Sequence, residues 1–244
     1  MTALRSLAYQ VYLYAVSAVM TLGLLPLLVL PRPLTARAIR LWSQLQLWGA
    51  WHITGVRYEI RGAHRLPDGP CLIASKHQSM WDTIFWAAAV NDPAIVLKKE
   101  LTWIPLYGWY TLKARMISID RGSGPAAIRR LVHQGRAARA AGRPIVIFPE
   151  GTRASPGAPP AYKPGVAALY TQLDVPCVPV ALNSGLYWAR RALKRDPGTI
   201  VVEILDPIPP GLKRRDFQHA LEAAIEPATA RLVEEARAAK TTPA

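Results

Sequence analysis

From Gly55 onward, short apolar runs alternate with stretches of helical periodicity, an order that few fold classes can accommodate. Seven runs are predicted strands: Val56–Ile60, Cys71–Ala74, Ala94–Leu97, Arg115–Ile119, Pro144–Phe148, Pro176–Leu182 and Thr199–Leu205. Four stretches are predicted helices: Trp81–Val90, Pro125–Ala141, Pro164–Leu173 and Arg214–Ala239, the last interrupted at Pro227. The alternation predicts an α/β fold in which helices flank a mixed, mostly parallel sheet.

The N-terminal region contains an uncharged run between Arg5 and Arg32. As a single helix this run would be about 39 Å long, and the core of a bilayer is about 30 Å thick. Gly23 and Pro26 could instead bend the segment so that it lies within one leaflet. Both arrangements remain open, and we predict membrane-associated helices over residues 1–54, followed by a second domain over residues 55–244.

The segment from Leu34 to Thr54 is amphipathic, and two placements suit it. Its large apolar side chains are Leu41, Leu45, Leu47, Trp48 and Trp51. A helix of this composition can lie at the level of the lipid headgroups, or it can pack its apolar face on the protein core. Because Arg32, Arg37 and Arg40 outweigh Arg5, the rest of the chain is predicted to lie on the cytoplasmic side.

The charge of the chain indicates what it binds. A formal net charge of +14 suits an anionic partner, either a nucleic acid or an anionic membrane surface. Eight tryptophans and a mean hydropathy of +0.11 favour the membrane. Cys71 and Cys177 both lie in apolar runs, so we predict small buried side chains rather than a disulfide. No His/Cys cluster has the spacing of a zinc site, and we expect no metal.

The most informative motif is His77, followed five residues later by Asp82. The flanking pattern places His77 at the end of a strand and Asp82 in the first turn of a helix. The carboxylate could then fix the imidazole tautomer and leave the outer nitrogen free to take a proton. Alternatively, Asp82 could serve only as a helix cap. Because the chain has no Gly-x-Ser-x-Gly elbow, such a base would act on a hydroxyl of the substrate itself.

Three further predicted strands end in or contain charged residues, glycine or proline that suit a binding site or an irregular strand. The segment Phe148–Arg153 (Phe-Pro-Glu-Gly-Thr-Arg) supplies a carboxylate, a flexible glycine and a guanidinium suited to phosphate. The segment Ile117–Arg121 ends in Asp-Arg, and Val178–Val180 contains Pro179, which predicts an edge or irregular position for that strand. Open α/β sheets bind ligands beyond the carboxyl ends of their strands, so these segments are predicted to meet in one cleft.

Taken in order, these motifs resemble those of the glycerolipid acyltransferases, and most of all the bacterial 1-acylglycerol-3-phosphate acyltransferases. The resemblance is carried by His77-x-x-x-x-Asp82, Ile119-Asp120-Arg121, Phe148–Arg153 and Val178-Pro179-Val180. It extends from about Cys71 to Ser184. Two positions depart from the family pattern: Lys76 stands where many members have Asn, and Lys113–Arg115 lacks a glycine that is common there.

The resemblance implies transfer of a fatty acyl group from an acyl thioester to the sn-2 hydroxyl of lysophosphatidate, which gives phosphatidate. His77 would be the general base, and Asp82 would orient it and compensate its charge. The implied acceptor-binding residues are Lys98, Arg121, Glu150, Gly151, Thr152 and Arg153, of which the two arginines and the lysine would bind the phosphate. The implied acyl-side residues are Val178, Pro179 and Val180.

The resemblance also implies partners and a location. No bound cofactor would be needed, because the acyl carrier, acyl-CoA or acyl carrier protein, arrives as a co-substrate. The enzyme would lie at the cytoplasmic side of the bacterial inner membrane, held by anionic lipid. Two alternatives remain. One is the same chemistry on another lysolipid or on glycerol 3-phosphate. The other is a membrane-tethered, basic nucleic-acid-binding protein, in which His77 and Asp82 would have no use.

Overall fold

The computed structural model describes residues 1–241 and has the predicted α/β architecture, a seven-stranded sheet flanked by helices. All seven predicted strands are present: β1 (Val56–Arg61), β2 (Leu72–Ser75), β3 (Ala94–Lys98), β4 (Ile117–Ile119), β5 (Ile145–Ile147), β6 (Cys177–Leu182) and β7 (Gly198–Ile204). The α-helices are α1 (Thr2–Gly23), α2 (Arg32–Gly49), α3 (Trp81–Ala89), α4 (Tyr107–Lys113), α5 (Gly124–Ala140), α6 (Pro164–Leu173) and α7 (Arg214–Thr241).

Two helices differ from the prediction. Helix α4 is only seven residues long, too short for its periodicity to be recognised in the sequence. Helix α7 is continuous through Pro227, so the predicted interruption is wrong. Ile225 and Leu232 on either side of the proline are fully buried, and this packing holds the helix together despite the hydrogen bond that proline removes.

The strand order is β1-β7-β6-β2-β5-β3-β4. Strands β6, β2, β5, β3 and β4 pair in parallel, whereas β7 runs antiparallel to β6 and parallel to β1. The carboxyl ends of five neighbouring strands therefore meet at one edge of the sheet, and we call it the carboxyl edge. The residues that follow β2, β4 and β5, His77, Arg121 and Glu150 among them, lie along this edge.

Of the two positions predicted for Pro179, the edge position is wrong, because β6 is an interior strand between β7 and β2; the local pairing agrees with the other, an irregular position. The Pro179 carbonyl accepts a hydrogen bond from Leu205 N at 3.0 Å, one residue beyond the end of β7. The nitrogen of Pro179 faces the same neighbour as its carbonyl. The proline thus lies where pairing with β7 stops, and its missing N–H removes little from the ladder.

Helices cover both faces of the sheet. Buried residues of α1, α2 and α3 form one core with strand residues such as Ile73 and Val146. Buried residues of α5, α6 and α7 form a second core with the alternate strand residues, such as Leu72 and Ile145. The cysteines are free and buried, as predicted, and burial raises the pKa of the Cys71 thiol to about 11.

The N-terminal helices form an antiparallel hairpin against the first of these cores. Helix α1 ends at Gly23, and a 3-10 turn over Leu25–Leu28 contains Pro26, so the chain bends where these residues allowed it. Three hydrogen bonds join the helices: Tyr9 Oη to Gln46 O (3.3 Å), Tyr12 Oη to Leu45 O (2.9 Å) and Trp42 Nε1 to Ser17 Oγ (3.0 Å). Of the helices in residues 1–241, none is both long and apolar enough to cross a membrane.

Helix α2 and the π-helical turn after it combine the two placements that the sequence left open. Leu47 is buried in the core and Leu45 is half-buried, whereas Leu41, Trp48 and Trp51 are exposed. The segment therefore packs one side on the protein and leaves large apolar side chains on the other. The helical region ends at Thr54, where the domain boundary is predicted. The division into two domains stays a prediction.

The turn between α4 and β4 shows what replaces the glycine expected from the resemblance. Arg115 adopts a φ of +54°, a left-handed conformation that costs a non-glycine residue ~1 kcal/mol. The buried Arg143 guanidinium donates to the carbonyls of Ala114 (3.1 Å) and Arg115 (3.0 Å). These bonds hold the turn in a conformation that arginine does not favour.

Candidate active site

His77 and Asp82 meet at the carboxyl edge in the predicted arrangement of a strand end and a helix start. His77 follows β2 by two residues, and Asp82 is the second residue of α3. The His77 Nδ1 lies 2.9 Å from Asp82 Oδ2. Because a carboxylate oxygen accepts hydrogen bonds, this contact places the imidazole proton on Nδ1 and leaves the lone pair on Nε2.

Asp82 is fully buried, and four donors surround its carboxylate. Oδ2 accepts from His77 Nδ1 at 2.9 Å. It also accepts from the backbone N–H groups of Gln78 and Ser79, both at 2.8 Å. Oδ1 accepts from the Ser184 hydroxyl at 2.6 Å. A carboxylate with this many donors is held in one orientation, so Asp82 can in turn fix the plane of the imidazole.

The His77 ring lies against Phe148, with ring centroids 4.0 Å apart and planes inclined by 21°. Its side chain is 14% exposed, and its backbone carbonyl accepts from Ala154 N at 2.8 Å. No hydrogen-bond partner of Nε2 occurs among residues 1–241, so this nitrogen is available to a ligand. The Phe148–Arg153 loop thus packs directly against the histidine.

Glu150 forms an ion pair with Lys76. The Glu150 side chain is 3% exposed, and its Oε1 lies 3.1 Å from Lys76 Nζ. Burial raises the pKa of the Glu150 carboxyl above its usual range, and the nearby ammonium opposes this shift. Glu150 therefore contacts the residue that precedes His77 through a buried ion pair. Its predicted role in acceptor binding stays a prediction.

Gly151 brings the Phe148–Arg153 loop beside Arg121. A Cβ at Gly151 would lie 4.0 Å from Arg121 Nε and 3.3 Å from Lys163 Cγ, and its φ of +66° also favours glycine. Thr152 and Arg121 are exposed, and Arg153 is partly exposed. The Arg153 carbonyl accepts from Arg190 Nη1 at 3.1 Å.

Lys98, the third residue predicted to bind the phosphate, is exposed and pairs with a neighbouring glutamate. Lys98 lies at the end of β3 with its side chain 46% exposed, and its Nζ lies 2.8 Å from Glu100 Oε1. Its neighbour Lys99 pairs with Asp120 at 3.2 Å, next to Arg121. Val178 and Val180 are fully buried in the core beneath α1–α3, and their role on the acyl side, like that of Pro179, stays a prediction.

Sequence reasoning missed two residues that support the histidine. Ser184, which donates to Asp82, is 102 positions away from it along the chain. The Gln78 side chain accepts from Gly185 N at 3.0 Å and so holds the segment after β6 against the turn between β2 and α3. No local pattern signals either contact, because both depend on how β6 pairs with β2.

Comparison with known proteins assigns the family. The family model described as Acyltransferase matches residues 57–183, more than half of the chain. The chain belongs to the acyltransferase family. Over 197 residues it is 35% identical to the 1-acyl-sn-glycerol-3-phosphate acyltransferase of Pseudomonas aeruginosa. The aligned region covers 79% of this chain and 77% of the relative. Over 169 residues it is 30% identical to 1-acyl-sn-glycerol-3-phosphate acyltransferase alpha of Mus musculus, covering 68% of this chain and 59% of the relative.

A solved structure supports the fold of this acyltransferase. The crystal structure of the 1-acyl-sn-glycerophosphate acyltransferase of Thermotoga maritima matches with a TM-score of 0.77 over 100% of both chains, at 20% sequence identity. The family match confirms the predicted resemblance and favours an enzyme over the nucleic-acid-binding alternative. It includes His77, Asp82 and the Phe148–Arg153 loop, but neither Ser184 nor the N-terminal helices.

Proposed function

We propose that this acyltransferase moves a fatty acyl group from an acyl thioester to the sn-2 hydroxyl of lysophosphatidate and so makes phosphatidate. The observation that carries the proposal is a partly exposed imidazole, oriented by a buried carboxylate, with Nε2 free at the carboxyl edge. The names of the relatives support lysophosphatidate as the acceptor.

In the proposed reaction the lone pair of His77 Nε2 takes the proton of the acceptor hydroxyl as its oxygen attacks the thioester carbonyl. The tetrahedral intermediate then collapses, the C–S bond breaks, and the imidazolium returns the proton to the leaving thiolate. The Asp82 carboxylate stabilises the imidazolium between these two steps. General base catalysis of this kind typically contributes ~10² to 10⁴-fold. No metal or bound cofactor takes part.

The serines near His77 support direct attack by the substrate rather than an acyl-enzyme. The Ser184 hydroxyl is fully buried and donates to Asp82, away from the outer nitrogen of the imidazole. Ser79 is also fully buried, and its hydroxyl oxygen accepts from Trp81 N at 3.1 Å. Neither hydroxyl makes a hydrogen bond to Nε2 within residues 1–241, as the hydroxyl of a serine nucleophile activated by this histidine would.

We propose that Arg121 and Arg153 bind the phosphate of the acceptor. The loop that carries Arg153 packs on His77 through Phe148, and Gly151 in that loop lies beside Arg121. Both guanidinium groups reach solvent at the carboxyl edge. A phosphate held there would direct the attached glycerol hydroxyl toward the imidazole, and guanidinium suits phosphate because it donates two parallel hydrogen bonds.

We expect Arg153→Ala to raise the KM for lysophosphatidate by ~10- to 100-fold while kcat falls much less, because one charge-assisted contact to phosphate is lost. Arg129→Ala is a matched control, since Arg129 is an exposed arginine on α5, on the other side of the sheet. Steady-state kinetics with varied acceptor measures both variants. An acceptor KM equal to that of the control would contradict a phosphate-binding role.

We also propose that the protein binds the membrane through an apolar surface at the N-terminal hairpin. Large exposed apolar side chains follow helical spacing along α1 and continue into neighbouring segments: Leu4, Leu7, Val11, Tyr14, Leu22, Val29, Trp103, Trp109 and Leu112. Helix α4 is attached to α1 by the hydrogen bond from Tyr110 Oη to Thr21 O (2.9 Å). The basic charge of the chain would add attraction to anionic lipid at the cytoplasmic side of the bacterial inner membrane.

Leu7→Asp is expected to weaken binding to vesicles of mixed zwitterionic and anionic lipid by ~10-fold or more, because an exposed leucine that would enter the bilayer is replaced by a charged side chain. Leu212→Asp, on the face that carries α5–α7, is the matched control, since it makes the same change at an exposed leucine. Vesicle cosedimentation gives the partition coefficients. Equal loss in the two variants would mean that α1 does not carry the membrane contact.

The test of the proposed reaction is acyl transfer by the detergent-purified protein. Thiol release from acyl-CoA is followed with lysophosphatidate as the acceptor, and the product is identified by mass spectrometry. Acyl carrier protein as the donor, and other lysolipids or glycerol 3-phosphate as the acceptor, form the comparison set. Phosphatidate as the main product supports the proposal, and a preference for another acceptor would replace lysophosphatidate with that acceptor.

A further inference from the structure

A group of charged side chains adjoins the candidate active site at Lys76, the residue that precedes His77. Lys76 is 3% exposed, and its Nζ lies 2.7 Å and 2.8 Å from the two carboxylate oxygens of Glu226 and 3.1 Å from Glu150 Oε1. The Tyr162 hydroxyl donates to Glu226 Oε1 at 2.7 Å. We call Lys76, Glu150, Glu226 and Tyr162 the Lys76 cluster; Lys76 and Glu150 are buried, whereas the Glu226 side chain is 22% exposed. The proposed reaction does not use Lys76, Glu226 or Tyr162.

The cluster joins three segments that are distant in the sequence. Lys76 lies between the end of β2 and His77, Glu150 lies in the Phe148–Arg153 loop, and Glu226 lies in α7, 150 residues after Lys76. Helix α7 lies outside the range that the family model matches. The ammonium of Lys76 is therefore the point at which this chain attaches the catalytic segment and the loop to its C-terminal helix.

Removing one member of such a cluster is costly, because its buried partners lose their compensating charge. Neither carboxylate oxygen of Glu150 has a hydrogen-bond partner among the described residues, so compensation of its charge rests on the ion pair with Lys76. Without the ammonium, Glu150 and Glu226 could not both stay ionised across the space that the ammonium now fills, and the two contacts that join them through Lys76 would be lost. The loop that carries Glu150 would move, and this loop also carries Phe148, which packs on His77, and Arg153.

We propose that Lys76 is a positioning residue of this acyltransferase, which ties the Phe148–Arg153 loop to α7 through Glu226 and so holds the acceptor-binding side of the site in place. The inference rests on the proposed function insofar as the loop binds the acceptor. Glu226 then influences the binding of the acceptor from outside the active site. The binding of the acyl donor does not depend on it.

The test compares Glu226→Gln, Lys76→Met and the double variant with the wild type. Glu234→Gln is the matched control, because Glu234 is an exposed glutamate on the same helix. For each protein we measure kcat, the KM for lysophosphatidate, the KM for the acyl donor and the melting temperature. Glu226→Gln keeps the pair between Lys76 and Glu150, so it gives a readout even if Lys76→Met does not fold.

Lys76→Met is expected to raise the KM for lysophosphatidate ~10-fold and Glu226→Gln ~3-fold, with the donor KM within twofold of wild type. In the double variant the link through Lys76 is already broken, so its acceptor KM should be no higher than that of Lys76→Met alone. Lys76→Arg keeps the charge and should restore most of the acceptor binding. A purely structural role would instead change both KM values and kcat together, as the melting temperature falls, and this result would overturn the inference.

A second readout needs no substrate. Hydrogen exchange of the peptide that covers residues 148–154 should be faster in Glu226→Gln than in Glu234→Gln, because the loop loses part of its attachment to α7. If the wild type is inactive on every acceptor but this difference is present, the proposed function fails and the attachment stands. Exchange that is equal in the two variants overturns the inference whatever the activity.

Discussion

His77→Ala is expected to lower kcat for acyl transfer to lysophosphatidate by ~10³-fold, with little change in either KM. In the proposed reaction the imidazole takes the hydroxyl proton only as the bond to the thioester carbon forms, so its removal should affect the transition state far more than substrate binding. Thiol release with mass identification of phosphatidate measures the loss. The side chain is partly exposed and lies at the end of a strand, so the variant should fold normally.

His133→Ala is the control for this experiment, because His133 is exposed on α5, on the opposite face of the sheet from α1–α3. It should retain the wild-type rate. Activity of His77→Ala within tenfold of the wild type, at an equal melting temperature, would show that His77 is not the general base.

Asp82→Asn should lower kcat by ~10²-fold or more and leave the fold intact. The amide oxygen can still accept from His77 Nδ1 and from the backbone of Gln78 and Ser79, and the new NH₂ group can donate to the Ser184 hydroxyl, which can rotate to accept. The variant loses only the negative charge that, in the proposed reaction, stabilises the imidazolium. The rate should therefore fall without a comparable loss of stability.

Ser184→Ala distinguishes the contribution of the Asp82 charge from the contribution of its fixed orientation. It removes one donor to Oδ1 and keeps the carboxylate, so we expect a loss in kcat of no more than ~10-fold. Comparison of kcat and melting temperature for the two variants tests the assignment. If Ser184→Ala proves more damaging than Asp82→Asn, orientation matters more than charge, and stabilisation of the imidazolium is not the main role of Asp82.

The parts of the site that could be predicted are those made within one short segment. His77 and Asp82 are five residues apart, and a strand followed by a turn and a helix brings them together whatever the rest of the chain does. Strands β2, β5 and β6 were recognisable because their apolar runs are buried along their whole length, as in the interior of a parallel sheet. Helix α4 was missed because seven residues span only about two turns.

Contacts between distant segments could not be predicted. The hydrogen bond from Ser184 to Asp82 and the attachment of Lys76 to Glu226 depend on β6 lying beside β2 and on α7 packing beneath the sheet. Lys76 was recognised in the sequence as a departure from the family pattern, but its partners were not. A buried lysine is tolerated only where carboxylates meet it, and only the tertiary fold supplies them.

The sequence by itself determined the α/β class, the strands, the pairing of His77 with Asp82 and the family. The tertiary structure decided that Pro179 lies in an interior strand, that α7 continues through Pro227, and that α2 packs one side on the core and exposes the other. The physical reason is the range of the interactions. Periodicity and turn chemistry act over a few residues, whereas strand order, burial of charge and the choice of the buried helix face arise only when distant segments pack together.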